Sequence, residues 1–74
     1  MDTNTVRLAE HDDSSVVLLT VEEAARRLRI GRTVCYRLIS SGQLESIRIG
    51  NLRRVPADAP SRFVARQRAA QQAA

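Results

Sequence analysis

The sequence is short of several residue types that stabilise small proteins or give them chemical function. It has no tryptophan, one phenylalanine, one tyrosine and a single cysteine, Cys35. One cysteine forms no intramolecular disulfide, and with the lone His11 it provides no set of ligands at metal-binding spacing. The longest apolar run, Val16–Leu19, has four residues, far fewer than the roughly 20 that a membrane-spanning helix needs. The composition therefore excludes disulfide-stabilised, metal-stabilised and membrane-spanning folds.

The length of 74 residues leaves room for one small domain. A core of this size competes with any catalytic cleft for side chains, and no nucleophile with a paired general base is visible. We therefore predict a protein that is not an enzyme and that has no cofactor, metal or small-molecule substrate. The N-terminus lacks the basic and apolar regions of a secretory signal, so we expect a cytoplasmic location in a prokaryotic cell, in association with the nucleoid.

Charge is unevenly distributed along the chain, and lysine is absent. Residues 1–23 hold six acidic side chains against one arginine, whereas residues 24–74 hold eleven arginines against two acidic side chains. The net positive charge of residues 24–74 attracts polyanions, of which nucleic acid is the commonest. A merely solvated basic surface fits the charge equally well, so the arrangement of the arginines has to decide between the two.

The pattern along the chain predicts a folded domain between two tails. Residues 1–15 are polar and acidic, with no hydrophobic periodicity, and are expected to form a flexible tail. The domain is expected to cover residues 16–68. Residues 69–74 are alanine and glutamine, which form helix readily but pack poorly, so we expect this C-terminal tail to fray.

A first helix is predicted to begin after Thr20. This residue opens a Thr-Val-Glu-Glu sequence with the form of a capping box, in which the threonine hydroxyl and Glu23 satisfy each other's backbone N–H groups. Glu22 and Glu23 each precede an arginine by four residues, the spacing of stabilising helical ion pairs. The preceding run Val16–Leu19 fits either a short strand or an apolar anchor on the core. The apolar residues expected on the buried face of the helix are Val21, Ala24, Ala25 and Leu28.

A second helix is predicted at about residues 32–41. Gly31 stands at its N-cap position, and Gly42 follows it as a residue that can adopt positive φ. Two short helices joined by a tight turn that contains glycine form a helix-turn-helix. Projected at 100° per residue, the apolar side of the second helix carries Val34, Cys35, Leu38 and Ile39. The other side carries groups suited to phosphates and base edges, namely Arg32, Thr33, Tyr36, Arg37 and Ser40.

A two-stranded wing is predicted after the second helix. The sequence alternates between apolar and polar residues around Gly50-Asn51, a dipeptide typical of hairpin turns. A two-residue loop there places Arg48 opposite Arg53 and turns the isoleucines of this segment to the other face. Like charges in a cross-strand pair destabilise a hairpin, so this arrangement suggests an anion that relieves the repulsion. A third helix is expected to begin near Asp58.

Each of these features also has a purely structural explanation. The polar side of the second helix fits the solvated face of any amphipathic helix, and arginines at strand edges protect a small sheet against aggregation. Cys35 falls on the apolar side, where we expect a buried small residue and not a nucleophile. The helix pair and the cationic hairpin together favour nucleic-acid binding, because they place positive charge around one surface.

These residues together resemble the excisionase and MerR-type family of small winged helix-turn-helix DNA-binding domains. The matching segments are LTVEEAARRL at 19–28, CYRLISSGQL at 35–44, IRIG at 47–50 and RVP at 54–56. The resemblance implies a mainly α-helical fold with a small β-hairpin, in which the second helix enters the major groove and the wing follows the backbone or reaches a minor groove. The DNA contacts that it implies are Arg32, Thr33, Tyr36 and Arg37 in the second helix, and Arg48, Asn51, Arg53 and Arg54 in the wing.

The resemblance also implies a biological role. The expected protein is an excisionase of a phage or mobile element, which binds repeated sites cooperatively, bends double-stranded DNA and contacts an integrase and neighbouring copies of itself. The lack of a long helix after the third one favours this role over that of a full-length MerR-type regulator. Glu45 departs from the family pattern, in which proline is common, and its negative charge opposes the approach of the wing to DNA. The alternatives are a small winged-helix transcriptional regulator and a protein-interaction module that uses its basic face.

Overall fold

The computed structural model describes residues 15–73 and folds them into three helices and one three-stranded sheet. In chain order the elements are β1 (Leu18–Thr20), α1 (Val21–Leu28), α2 (Arg32–Ser40), β2 (Ile47–Ile49), β3 (Leu52–Pro56) and α3 (Ala59–Ala73). The strand order is β1-β3-β2, and both neighbouring pairs are antiparallel. The α1–α2 pair and the β2–β3 hairpin form the predicted winged helix-turn-helix. The tail predicted at residues 1–15 lies, apart from Ser15, outside the described residues.

Helix α1 begins with the predicted capping box. The backbone N–H of Glu23 donates to Thr20 Oγ1 at 3.0 Å, and the backbone N–H of Thr20 donates to Glu23 Oε1 at 2.8 Å. Glu22 binds Arg32 of α2 instead, with 2.9 Å between Oε2 and Nε. The predicted ion pairs with the arginines four residues ahead are therefore wrong, because the cap and the neighbouring helix occupy both carboxylates.

The turn between α1 and α2 closes through backbone hydrogen bonds. The N–H of Arg29 donates to the carbonyl oxygen of Arg26 at 3.1 Å, and the N–H of Ile30 donates to that of Ala25 at 3.0 Å. This pair of bonds is a Schellman motif, which requires a residue in the left-handed region, and Arg29 occupies it with φ 59°. Gly31 then begins α2 in an extended conformation and provides no side-chain cap.

The core lies between the helices and one face of the sheet. Cys35 is fully buried in it, as predicted, and its Sγ donates to the carbonyl oxygen of Val21 at 3.8 Å. Burial raises the pKa of Cys35, and the negative charge of Glu22 raises it further. Val34, expected on the apolar side of α2, is 38% exposed because it lies at the margin of that side in the first turn. The buried hydrophobic residues of the core are Leu19, Val21, Ala24, Ala25, Cys35, Leu44, Val55 and Ala59.

Strand pairing in the sheet shows which of the two predicted roles the apolar run at residues 16–19 has. Strand β1 pairs with β3, and Leu19 lies opposite Val55, so the second half of this run, Leu18 and Leu19, lies in a strand, and Leu19 also contributes to the core. The hairpin has the predicted two-residue loop, with Arg48 opposite Arg53. Gly50 has φ 60°, and positive φ at the first loop residue alone is the pattern of a type II′ turn.

Helix α3 follows the sheet and packs Phe63 against the core. Ala59 and Pro60 in its first turn are buried. The helix continues through Ala73, into the segment expected to fray. Fraying is a motion of the helix, so that expectation stays a prediction. Within residues 15–73, no helix combines the length and hydropathy needed to cross a bilayer.

Candidate nucleic-acid interface

The described part of the chain has a large excess of positive charge on its surface. Residues 15–73 carry eleven arginines against four carboxylates, and none of these charged side chains is buried. The ion pairs among these residues use only two of the arginines, Arg32 and Arg62. Most guanidinium groups are therefore exposed to solvent and form no ion pair with a carboxylate. Such an excess of unpaired positive charge attracts polyanions.

The outward side of α2 carries the predicted helix contacts, all of which are exposed. The guanidinium carbon of Arg32 lies 5.3 Å from the centroid of the Tyr36 ring, within the range of a cation–π contact. The contact with Tyr36 and the charge of Glu22 raise the pKa of Arg32. Arg37 contacts no carboxylate in this part of the chain. Arg32 therefore already has intramolecular partners before DNA binds, whereas Arg37 has no ionic partner among residues 15–73.

The wing carries the second group of predicted contacts. Arg48 Nε donates to the carbonyl oxygen of Gly50 at 3.3 Å, and Arg53 Nη1 donates to Ser46 Oγ at 3.3 Å. Both acceptors are neutral, and no carboxylate among residues 15–73 lies within ion-pair distance of either guanidinium. The two charges thus face each other across the hairpin without a counter-charge. Asn51 is exposed in the loop at the end of the wing.

The alternation of side chains separates the two neighbouring wing arginines. Arg53 lies on the same face of β3 as Val55, because residues two apart in a strand share a face. Val55 packs in the core with Cys35 of α2, so Arg53 and its partner Arg48 lie on the side of the sheet that bears the helices. Arg54 lies on the opposite face, and its Nη1 donates to the carbonyl oxygen of Arg53 at 3.0 Å. The structure therefore places Arg48 and Arg53 on the helix-bearing side of the sheet, where α1 and α3 contact β3, and places Arg54 on the other side.

The opposite face of the wing is apolar, as the predicted register requires. Ile47, Ile49 and Leu52 are 38%, 51% and 52% exposed. The cross-strand pairs place Ile47 beside Arg54 and Ile49 beside Leu52. The wing thus presents Arg48 and Arg53 on its helix-bearing side, and uncovered apolar side chains beside Arg54 on the other.

Two arginines of α3 hold the loop that precedes the wing, a role that the sequence analysis missed. Arg62 Nη2 lies 2.6 Å from Glu45 Oε1 and 3.4 Å from Asp58 Oδ1. Arg66 Nη2 donates to the carbonyl oxygen of Gln43 at 2.6 Å. The charge of Glu45, expected to oppose the approach of DNA, is offset by Arg62. No local sequence pattern predicts these contacts, because the paired residues are 17 and 23 positions apart in the chain.

Residues 15–73 contain no group of three or more His, Cys, Asp and Glu side chains that could hold a metal ion. The polar side chains exposed on α2 and the wing include arginines, hydroxyl groups and a tyrosine. Such groups bind phosphates and base edges, so the arrangement fits recognition of a nucleic acid.

Comparison with known proteins places this site in a family context. Residues 18–68 match a family model described as a helix-turn-helix domain. A "Probable excisionase" of Saccharopolyspora erythraea is 57% identical over 58 residues, which are 78% of this chain and 59% of that protein. An "Excisionase" of Streptomyces ambofaciens is 49% identical over 47 residues, which are 64% of this chain and 76% of that protein. The chain thus spans less than two thirds of the first of these relatives. No solved structure matches the chain.

Proposed function

The chain belongs to the excisionase-type helix-turn-helix family, and from this premise we propose that the protein is a DNA-binding excisionase. Such a factor helps an integrase to excise integrated DNA and performs no bond chemistry itself. The observation that carries the proposal is the opposed pair Arg48 and Arg53, which shares the helix-bearing side of the sheet and meets no carboxylate within residues 15–73. The phosphates of a duplex are the anions that relieve this repulsion.

The proposed docking places α2 in the major groove and the wing along the backbone. Arg37 is the proposed base-reading residue, since it is exposed on α2 without an ionic partner in residues 15–73 and a planar guanidinium can bind the O6 and N7 atoms of guanine together. Arg48 and Arg53 are proposed to bind phosphates, which hold the domain in register and carry no sequence information. The remaining proposed contacts are Arg32, Thr33 and Tyr36 on α2, and Asn51 and Arg54 on the wing.

Cooperative assembly is a further part of the proposal. A single module of this size buries about 600 to 1,000 Å² of protein surface on DNA, so one copy alone is expected to bind weakly. Copies on adjacent repeated sites supply the missing affinity through contacts with one another and with the integrase. The bend that they impose on the duplex brings these partners together. The exposed residues 69–73 at the end of α3 are available for such contacts.

An in vitro recombination assay with the cognate integrase tests the biological role. Excision of an integrated substrate is expected to require the wild-type protein and to fail with Arg37→Ala. The matched control is Arg68→Ala, which also removes one exposed arginine, on α3, and is expected to retain excision. Excision that proceeds equally without the protein would refute the role.

Footprinting separates excision from the two alternatives. Clustered repeats beside an attachment site support an excisionase, whereas sites at promoters support a transcriptional regulator of the same fold. A protein that binds every duplex with the same low affinity, and an acidic protein partner tightly, is an interaction module instead.

Two single substitutions test the assignment of roles within the interface. Arg37→Ala is expected to cost on the order of 1 to 3 kcal/mol on the target site and to relax the sequence preference. Arg53→Ala is expected to weaken binding to all sequences alike and to lower the salt dependence by about one phosphate contact. Fluorescence anisotropy on target and unrelated duplexes measures both effects. The same loss for both variants on both duplexes would contradict the division between base and phosphate contacts.

A further inference from the structure

The turn of the helix-turn-helix contains a residue that its backbone conformation disfavours. Arg29 has φ 59° and is the only residue other than glycine with positive φ in residues 15–73. Side chains with a Cβ atom are strained in this left-handed region, and glycine is the usual choice at this position of a Schellman motif. The fold needs the conformation, because the N–H groups of Arg29 and Ile30 close the end of α1. The fold does not require an arginine side chain at this position to reach the left-handed conformation.

The side chain of Arg29 has no contact within the domain that offsets this strain. It is exposed, and no ion pair or side-chain hydrogen bond joins it to residues 15–73. The acids nearest in sequence are already engaged, Glu22 by Arg32 and Glu23 by the cap of α1. Strained residues that the fold does not require point to a function for the side chain.

The surroundings of Arg29 are suited to an anion. A shallow depression of about 410 Å³ is lined by Arg26, Arg29 and Ile30, and Arg26 also has no acidic partner in the described residues. Two residues further on, Gly31 begins α2 without a side-chain cap, and the first turn of α2 carries no acid. The N-terminal end of a recognition helix faces the DNA in a helix-turn-helix complex, so this depression lies next to the groove that α2 is proposed to enter.

We propose that Arg29 and Arg26 form a second phosphate-binding site, which holds the DNA backbone beside the entrance of α2 into the major groove. The inference rests on the proposed DNA binding and extends it to a part of the surface that neither α2 nor the wing provides. Its ligand is the phosphodiester group, so it contributes to affinity for any sequence. Arginine persists in the left-handed position because its guanidinium reaches this phosphate, which glycine cannot do.

The substitution Arg29→Gly tests the needs of the fold and of DNA binding by two separate measurements. It relieves the backbone strain, which affects stability, and it removes the charge, which affects DNA affinity. The thermal midpoint is expected to stay equal or rise. The affinity for DNA is expected to fall about three- to tenfold, equally on target and unrelated duplexes, and the slope of log K against log salt is expected to lose about 0.9. Arg29→Gln removes the charge but keeps the strained backbone, so the same loss of affinity is expected without a gain in stability. Arg68→Gln on α3 is the matched control for loss of one charge and is expected to change affinity less than twofold.

The outcomes distinguish this inference from the proposed function. If both Arg29 variants bind DNA as tightly as Arg68→Gln while the wild type supports excision, the phosphate site does not exist and the excisionase role stands. A lower thermal midpoint for Arg29→Gly would show that the arginine serves the fold and would overturn the inference. If excision does not depend on the protein but both Arg29 variants lose affinity, the proposed role is wrong and the phosphate site stands.

Discussion

The arginines of this protein differ in what they contact before any nucleic acid is bound. Arg32 is held between Glu22 and the ring of Tyr36, Arg62 is held by two carboxylates, and Arg37 contacts none in residues 15–73. A guanidinium in an intramolecular ion pair has to exchange that partner for a phosphate or a base. Arginines of the predicted interface are therefore expected to contribute unequally to binding, according to whether they already have an intramolecular partner.

The pair between Glu22 and Arg32 is expected to limit DNA affinity. Both side chains are about half exposed or more, so solvent screens the pair and it contributes little to stability. Glu22→Gln removes the competing charge, and we expect up to about fivefold tighter DNA binding with a stability change below about 1 kcal/mol. Anisotropy titrations and urea unfolding measure the two quantities. Asp58→Asn is the control, because its partner Arg62 is outside the predicted interface, and equal effects of the two variants would contradict the competition.

Cys35 makes stability depend on pH in the alkaline range. Burial, with the charge of Glu22 adding to it, raises the pKa of Cys35 above its ordinary value, so the native state keeps the thiol proton while the unfolded state releases it. A raised pKa stabilises the fold fully below the unfolded value of about 8.5, and this stability is lost as pH rises toward the folded value. We expect the difference in unfolding free energy between wild type and Cys35→Ala to shrink above about pH 8.5. A difference that stays constant from pH 7 to pH 10 in urea unfolding would contradict this.

At the scale of elements, one glycine forms the turn of the wing and another stands at the N-terminus of α2. Gly50 has φ 60°, and Gly31 begins α2 with φ −74°. A Cβ atom added at either position meets no atom within 4 Å. The effect of a substitution is therefore set by backbone conformation and hydrogen bonding and not by crowding.

These two glycines are expected to respond to substitution in opposite directions. Gly50→Ala forces a side chain into the left-handed region and is expected to destabilise the hairpin by about 1 kcal/mol. Gly31→Ser adds a hydroxyl that can cap α2 and is expected to stabilise the protein by a few tenths of a kcal/mol. Urea unfolding measures the stability, and amide hydrogen exchange in β2 and β3 measures opening of the wing. Faster wing exchange in Gly31→Ser than in Gly50→Ala would contradict the assignment.

Local sequence patterns predicted the elements that local interactions stabilise. The capping box at Thr20 and the glycine after α2 set helix ends through hydrogen bonds within a few residues. Gly50-Asn51 set the register of the wing for the same reason. The run Val16–Leu19 stayed undecided because four apolar residues carry no periodicity, and its partner β3 lies more than thirty residues away.

At the scale of the whole molecule, the charge of the domain governs its binding to DNA. Residues 15–73 carry eleven arginines and four carboxylates, and the proposed interface directs four to six of these arginines at phosphates. Each phosphate contact releases counterions, so log K is expected to fall with log salt with a slope of about −4 to −5. Anisotropy titrations between about 50 and 200 mM salt measure this slope. A slope near zero would exclude the phosphate contacts proposed for both α2 and the wing.

The sequence by itself determined where the helices begin, the register of the wing and the excess of arginine. All of these follow from composition or from interactions between residues close in the chain. Only the tertiary structure decided which charges remain unpaired. It pairs Glu22 with Arg32 and Glu45 with Arg62, and it places Arg54 on the opposite face from Arg53. Ion pairs depend on distances in space, and the folded backbone sets those distances between segments that the sequence alone does not bring together.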